Sequence, residues 1–153
     1  MTPRALRLMP DPVLRMVCEP VTVFDGRLRD LTDEMFQVMY DAPGRGLAAP
    51  QIGVVERVFV MDEGWKDGQP EPQVFINPQV VAASSELTSQ DEGCLSIPGR
   101  IVQVTRPAEV SLRWQDLDGS PMSGSFTGFG AACVQHEIDH LDGVLCIDHV
   151  RAA

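Results

Sequence analysis

The apolar positions along the chain follow two periods. Leu31, Met35, Val38 and Met39 recur at helical spacing and predict a helix over 26–42, which Pro43-Gly44-Arg45-Gly46 breaks. Beyond Gly128, the positions Phe129, Ala132, Cys133, His136 and His140 fall at i, i+3, i+4, i+7 and i+11 and form one stripe. Val134, Ile138 and Leu141 form a second apolar face, leaving Gln135, Asp139 and Asp142 as a narrow polar edge. A helix apolar on most sides is a buried helix, so this one is expected at the centre of the domain. Between the two helices the runs become β-branched or alternating. Strands are expected over 55–61, 74–83, 86–91, 101–105, 109–116 and 120–127. Ser84-Ser85 reads as a tight turn joining the second and third of these, and Asp118-Gly119 as the hairpin turn before the last. Residues 62–72 are polar and read as a surface loop, while Asp11-Pro12 starts a short helix over 12–17. This order gives an α+β domain, with mixed or antiparallel strands packed around the late helix. No repeat, linker or low-complexity tract divides the chain, so 1–153 reads as a single domain.

Composition narrows what such a domain does. A chain of 153 residues can bury roughly two thirds of its unfolded surface. Charge is unbalanced, with 22 acidic and 12 basic residues, Lys66 the single lysine, and a formal charge of −10. That balance argues against broad affinity for nucleic acid or an anionic membrane. No apolar run reaches a transmembrane length, and residues 1–12 lack the apolar core of a signal peptide, so a cytoplasmic location is expected. There a chain of this size needs no disulfide. Cys18, Cys94, Cys133 and Cys146 are expected as thiols, one of them free to act as a thiolate ligand.

Two of the three histidines lie in His136-Glu137-Ile138-Asp139-His140. Residues four apart share a helix face, so His136 and His140 aim two imidazoles at one spot, a usual start to a metal site. Glu137 lies about 100° round the helix, near enough to take a proton from water at the site without being a ligand. Hydrolytic metal sites commonly use three protein ligands and leave one position open. Cys94, in Glu92-Gly93-Cys94-Leu95-Ser96, is the candidate third ligand, although alone it reads equally well as a small buried residue. The stretch Gly44-Arg45-Gly46-Leu47-Ala48-Ala49-Pro50-Gln51 looks like a loop through which backbone approaches a ligand. It follows a helix and lacks the third glycine of a dinucleotide fingerprint, so that reading is rejected. The stripe from the histidines to Phe129 suggests an apolar pocket wall leading to the metal, with ordinary core packing as the competing reading of Phe129 and Cys133.

Together the three stretches resemble the peptide deformylase family, whose motifs are Gly-x-Gly-Leu-Ala-Ala-x-Gln, Glu-Gly-Cys-Leu-Ser and Gln-His-Glu-x-Asp-His-Leu. All three are matched in order, and Asp11-Pro12-Val13-Leu14-Arg15, Ile76-Asn77-Pro78 and Ser96-Ile97-Pro98 are also similar. The resemblance implies that Cys94, His136 and His140 bind one divalent metal, Fe²⁺ in the cell, with Zn²⁺, Ni²⁺ or Co²⁺ as substitutes. It implies hydrolysis of the N-formyl group on the initiating methionine of a new polypeptide, with release of formate. Glu137 would be the acid/base, and the Gln51 amide and Leu95 backbone N–H would stabilise the oxyanion. Phe129, Ala132 and Cys133, with Arg45, Gly46 and Gly93, would surround the substrate. N-formylmethionyl nascent peptides are the expected partners, without a membrane or specific nucleic acid. Ribosome contact is expected to be weak at most, because the chain is acidic and ends at Ala153, where bacterial relatives commonly continue into a helix.

The chain also departs from the family pattern. Arg45 stands between the two glycines where an aliphatic residue is usual, and Gln90 replaces a commonly apolar pocket neighbour. Either Arg45 points to solvent and only its backbone matters, or it joins Gln90 in changing substrate preference at the mouth. Asp139, on a central helix, needs a partner, and Arg106 is the expected one. A zinc peptidase with the same His-Glu-x-x-His is disfavoured by the thiolate and the Gln51 loop. The alternative within the resemblance is a deformylase-like protein with an altered acyl-peptide substrate, or one that binds nascent chains or metal without turnover.

Overall fold

A computed structural model describes residues 3–150. Helix α1 (Gly26–Asp41) is followed by strands β1 (Gly46–Ala48), β2 (Val58–Met61), β3 (Gln73–Ala83), β4 (Leu87–Cys94), β5 (Ile97–Pro107), β6 (Glu109–Gln115) and β7 (Pro121–Thr127), and then by helix α2 (Gly128–Leu141). Five strands form one antiparallel sheet in the order β1-β2-β3-β6-β7, while β4 and β5 pair in a separate antiparallel ribbon. This is the α+β arrangement that the pattern of elements implied.

Strand β2 shows how the layers are built. All four of its residues are buried, and they alternate between two cores. Phe59 and Met61 belong to the core that also holds Val134, Ile138 and Leu141 of α2. Val58 and Val60 belong to the core holding Leu28, Leu31, Met35 and Met39 of α1. A strand alternates its side chains between faces, so β2 is covered on both sides. On the α2 side, the rings of Phe59 and Phe75 stack with centroids 4.4 Å apart. A third core, with Leu14, Val102, Val104 and Leu145, backs the β4–β5 ribbon.

Local signals place the element ends. The Asp25 side chain accepts a hydrogen bond from Leu28 N at the start of α1. Between β6 and β7, the Asp116 carboxylate accepts from the N–H groups of Asp118 and Ser120, and Gly119 takes φ +82°. The hairpin at Asp118-Gly119 is thus where the sequence put it.

Ser84-Ser85 does not join a paired hairpin. Strand β3 runs beside β2 and β6, while β4 turns into the ribbon with β5. Ser84 N donates to Glu109 O, and Ala108 N donates to Glu86 O, so two chain crossings lie side by side where the sheet and ribbon meet. Serine chemistry marks the turn but does not choose the strand's partner. The short helix expected over 12–17 is a 3₁₀ turn, Pro12–Arg15, whose cap is Asp11. Within the glycine-rich stretch expected as a loop, Gly46–Ala48 pairs with β2 and Ala49–Ile52 forms a 3₁₀ turn. The surface loop over 62–72 contains a 3₁₀ turn at Trp65–Asp67.

Asn77 ties the segment before α1 to the sheet. It sits at a register shift in β3 with φ +51°. Its Oδ1 accepts from Val21 N at 2.8 Å, and its Nδ2 donates to Val21 O at 2.9 Å and to Gln115 Oε1 at 2.7 Å. Asn77→Ala leaves these groups unpaired and puts a Cβ without a compensating bond in the left-handed region. A loss of about 2–4 kcal/mol in urea unfolding is expected, with Asn77→Gly recovering about 1 kcal/mol of it.

Candidate metal centre

Helix α2 and the end of β4 build the site. His136 and His140 stand one turn apart with their Nε2 atoms 3.2 Å from each other, and Cys94 Sγ lies 3.4 Å from His140 Nε2. All three candidate ligand atoms fall within 4.8 Å of one another and are buried. Tetrahedral coordination at about 2.0–2.1 Å for nitrogen and about 2.3 Å for sulfur puts such atoms roughly 3.3–3.6 Å apart. The donor set therefore fits one metal ion, and its thiolate and imidazole chemistry suits a transition metal.

His136 is aimed by its other ring nitrogen. Its Nδ1 lies 3.0 Å from Glu92 Oε1, which leaves Nε2 facing the centre. Glu92 in turn receives two hydrogen bonds from Arg106, at 2.7 and 2.9 Å. Arg106 reaches Asp139 at 2.8 Å, and His149 Nε2 lies 2.8 Å from the same Asp139 oxygen. The expected pairing of Asp139 with Arg106 is present. Burial alone would raise the Glu92 carboxyl, but hydrogen bonds with Arg106 and His136 bring it down to about 2. Burial likewise opposes the Arg106 charge, and its two carboxylates hold it protonated.

Glu137 has the opposite surroundings. It is 4% exposed, and its Oε1 has no hydrogen-bond partner. Burial pushes its carboxyl up to about 7, with the His136 charge pulling the other way. Gly46 makes room for it: a Cβ there would stand 2.6 Å from Glu137 Oε2 and 2.8 Å from Cys133 Sγ. Cys133 is buried, and desolvation followed by the Glu137 charge keeps its thiol protonated, as a wall rather than a ligand.

A cavity of about 260 Å³ opens beside these groups. Arg45, Gly46, Gly93, Phe129, Ala132 and Cys133 line it, as do Gln51, Leu95 and Glu137. Phe129 is 41% exposed, so it stands at the mouth instead of in the core. The Arg45 side chain does not simply leave for solvent; its guanidinium lies 5.2 Å from the Phe129 ring centroid. Gln51 is buried, with Oε1 accepting from Ala48 N at 2.9 Å and Nε2 donating to Ser96 Oγ at 3.0 Å. Its Nε2 also faces Cys94 Sγ at 3.7 Å. The Leu95 side chain fills the space in front of Gly44, where a Cβ would meet Leu95 Cδ1 at 2.6 Å.

Two participants were not singled out from the sequence. Glu92 had a readable signal, since it lies two residues before Cys94 in a strand and therefore on the same face. Ser96 had none, because its role depends on Gln51 arriving from a distant segment.

A buried carboxyl beside a set of metal donors is an arrangement that metal-dependent hydrolases use. The family model described as polypeptide deformylase matches residues 3–153. The peptide deformylase of Brucella suis biovar 1 is 49% identical over 151 residues, covering 98% of this chain and 86% of that protein. Among solved structures, the peptide deformylase of Thermotoga maritima superposes with a TM-score of 0.93 at 38% identity, covering 99% of this chain and 100% of that one. The enzyme of Synechococcus elongatus, in complex with actinonin, gives 0.94 at 41% identity, covering 99% and 82%. The chain belongs to the polypeptide deformylase family, enzymes that remove the N-formyl group from nascent peptides. Family and donor set together support a bound metal.

Arg106 is nearly fully buried between two carboxylates, so its removal strands the Glu92 charge. Arg106→Ala is expected to cost about 3–5 kcal/mol and to lower metal content as His136 loses its orientation. A variant with full stability in urea and full metal by elemental analysis would refute this account.

Proposed function

We propose that the site deformylates the methionine of new polypeptides with Glu137 as acid and base, using Fe²⁺ in the cell and accepting Zn²⁺, Ni²⁺ or Co²⁺ in its place. The observation that carries this reading is the buried Glu137 carboxyl, near neutrality and facing the cavity beside the donor set. An ion held by Cys94, His136 and His140 supplies Lewis acidity and makes water a nucleophile near neutral pH. Glu137 takes one proton from the attacking water as its oxygen adds to the formyl carbon. It returns that proton to the amine nitrogen as the carbon–nitrogen bond breaks, leaving formate and a free amino terminus. A carboxyl near 7 suits both directions of transfer.

The Gln51 amide and the Leu95 backbone N–H serve as donors to the oxyanion. Gln51 is suited to this because Ala48 N and Ser96 Oγ fix its plane, so little reorganisation is left for the reaction. Phe129, Ala132 and Cys133 form a wall for the methionine side chain, while Gly46 and Gly93 let the substrate backbone come close. The reaction belongs where polypeptides are made, in the cytoplasm. A formal charge of −10 supports at most weak contact with the ribosome's RNA. Among the described residues no helix is long and apolar enough to cross a membrane. Binding without turnover is not favoured, since Glu137, Gln51 and Cys94 all line one cavity.

Formate release from formyl-Met-Ala-Ser by the anaerobic Fe²⁺ protein tests the assignment. Glu137→Gln is expected to lower kcat by about 10²–10⁴-fold with metal content unchanged; loss of metal along with activity would make Glu137 a structural residue instead. Gly46→Ala forces the Glu137 carboxylate aside, and kcat is expected to fall about 10²-fold while metal is retained. Unchanged kcat in that variant would show that Glu137 acts from a different position.

A further inference from the structure

The cavity mouth carries a charge that the reaction itself does not use. Of the ten described arginines, Arg100 and Arg113 pair with no carboxylate among the described residues, and seven hold one at 3.2 Å or closer. Arg45 does not: its nearest ion-pair partner is Asp67 at 3.9 Å, and the Asp67 side chain is 74% exposed. Arg45 is held by Phe129 instead, and its Nε is buried without a hydrogen-bond partner. An aromatic face fixes a guanidinium while leaving its charge to act outward. Lys66, the single lysine, lines the same cavity and is steadied by a 3.1 Å bond to Pro43 O and by the Trp65 ring. In a chain with 22 acidic residues, two cations therefore stand together on one rim. Gln90 and Asp91 of β4 line the cavity as well. Arg45 and Lys66 precede and follow β2, so the cationic rim and the β4 rim come from separate parts of the fold.

Resting on the deformylase reading, we infer that Arg45, with Lys66 beside it, selects nascent chains that carry a carboxylate side chain in the two positions after the formylmethionine. The methionine side chain occupies the Phe129 wall, so the residues that follow it pass the mouth. A carboxylate there is drawn to the guanidinium, which its long contact with exposed Asp67 pairs only loosely, and is repelled from Asp91. The pair is partly solvated, so the effect is modest and salt-sensitive.

The test compares formyl-Met-Glu-Ser with formyl-Met-Gln-Ser, and formyl-Met-Ala-Glu with formyl-Met-Ala-Gln, pairs that differ in charge and hardly in shape. In one pair or both, kcat/KM is expected to favour the glutamate peptide by about two- to fivefold at low salt, with the preference shrinking as salt rises. Arg45→Gln is expected to bring the ratio to one, and Arg45→Lys to keep part of it. A wild-type ratio of one in both pairs, or a ratio that survives Arg45→Gln, overturns the inference. Calorimetric binding of the same peptides to Glu137→Gln separates this inference from the reading it rests on. A glutamate preference in binding without any turnover by the wild type would sink the proposed reaction and leave the selectivity standing. Equal binding of both members of each pair would sink the selectivity whatever the turnover.

Discussion

The geometry of the centre depends on one buried cation. Arg106 comes from β5, and its guanidinium joins Glu92 on β4 to Asp139 on α2. The β4–β5 ribbon is otherwise separate from the main sheet, so this ion-paired cluster is one of the ties that set Cys94 at its distance from the two histidines. A buried ion pair is a weak source of stability, because desolvation offsets most of the attraction. What it provides here is position, since a planar fork bonded to two carboxylates allows little rotation. The constraint continues through Glu92 to His136 Nδ1, and so decides which imidazole nitrogen faces the metal donors.

A second constraint is space. Strand β1 runs against α2, and at Gly46 the backbone passes so near Glu137 and Cys133 that no side chain fits. The same short strand continues into the 3₁₀ turn that delivers Gln51, with Leu47, Ala48, Ala49 and Ile52 fully buried along the way. The small and apolar residues of this stretch are therefore packing requirements first. The Gln51 amide reaches the cavity because the segment carrying it is sealed between the two cores.

Much of this was legible in the sequence. The α1 and α2 stripes, the alternation through β6 and β7, and the Asp118-Gly119 turn are local signals, and the structure keeps them. The His136–Glu137–His140 spacing placed two donors and the buried carboxylate in advance, whereas Cys94 was a candidate third donor that read equally well as a small buried residue until its motif was set beside the other two. Strand pairing was different. A period of two says that β3 and β4 are strands but not that β3 prefers β6, because that choice is made by cores far apart in the chain. Gln51 and Ser96 show the same limit, since each is unremarkable alone and their bond joins two segments. Arg45 read as a residue pointing to solvent or a residue at the mouth, and the Phe129 ring that decides between these lies 84 positions further on.

Arg106 also bears on the chemistry it does not touch. Glu137 sits close to the Cys94–His136–His140 cluster and to Glu92, and a carboxylate so placed is driven toward its neutral form by burial and by like charge. On Glu137 the Glu92 charge acts upward and the Arg106 charge acts downward. Without Arg106 its downward pull would be lost and the Glu92 charge would drive the Glu137 carboxyl higher still. The network that aims His136 thus also offsets the field that Glu92 adds. One buried arginine therefore does two things in an acidic chain: it holds the carboxylate that orients a histidine, and it opposes that carboxylate's field at the buried Glu137.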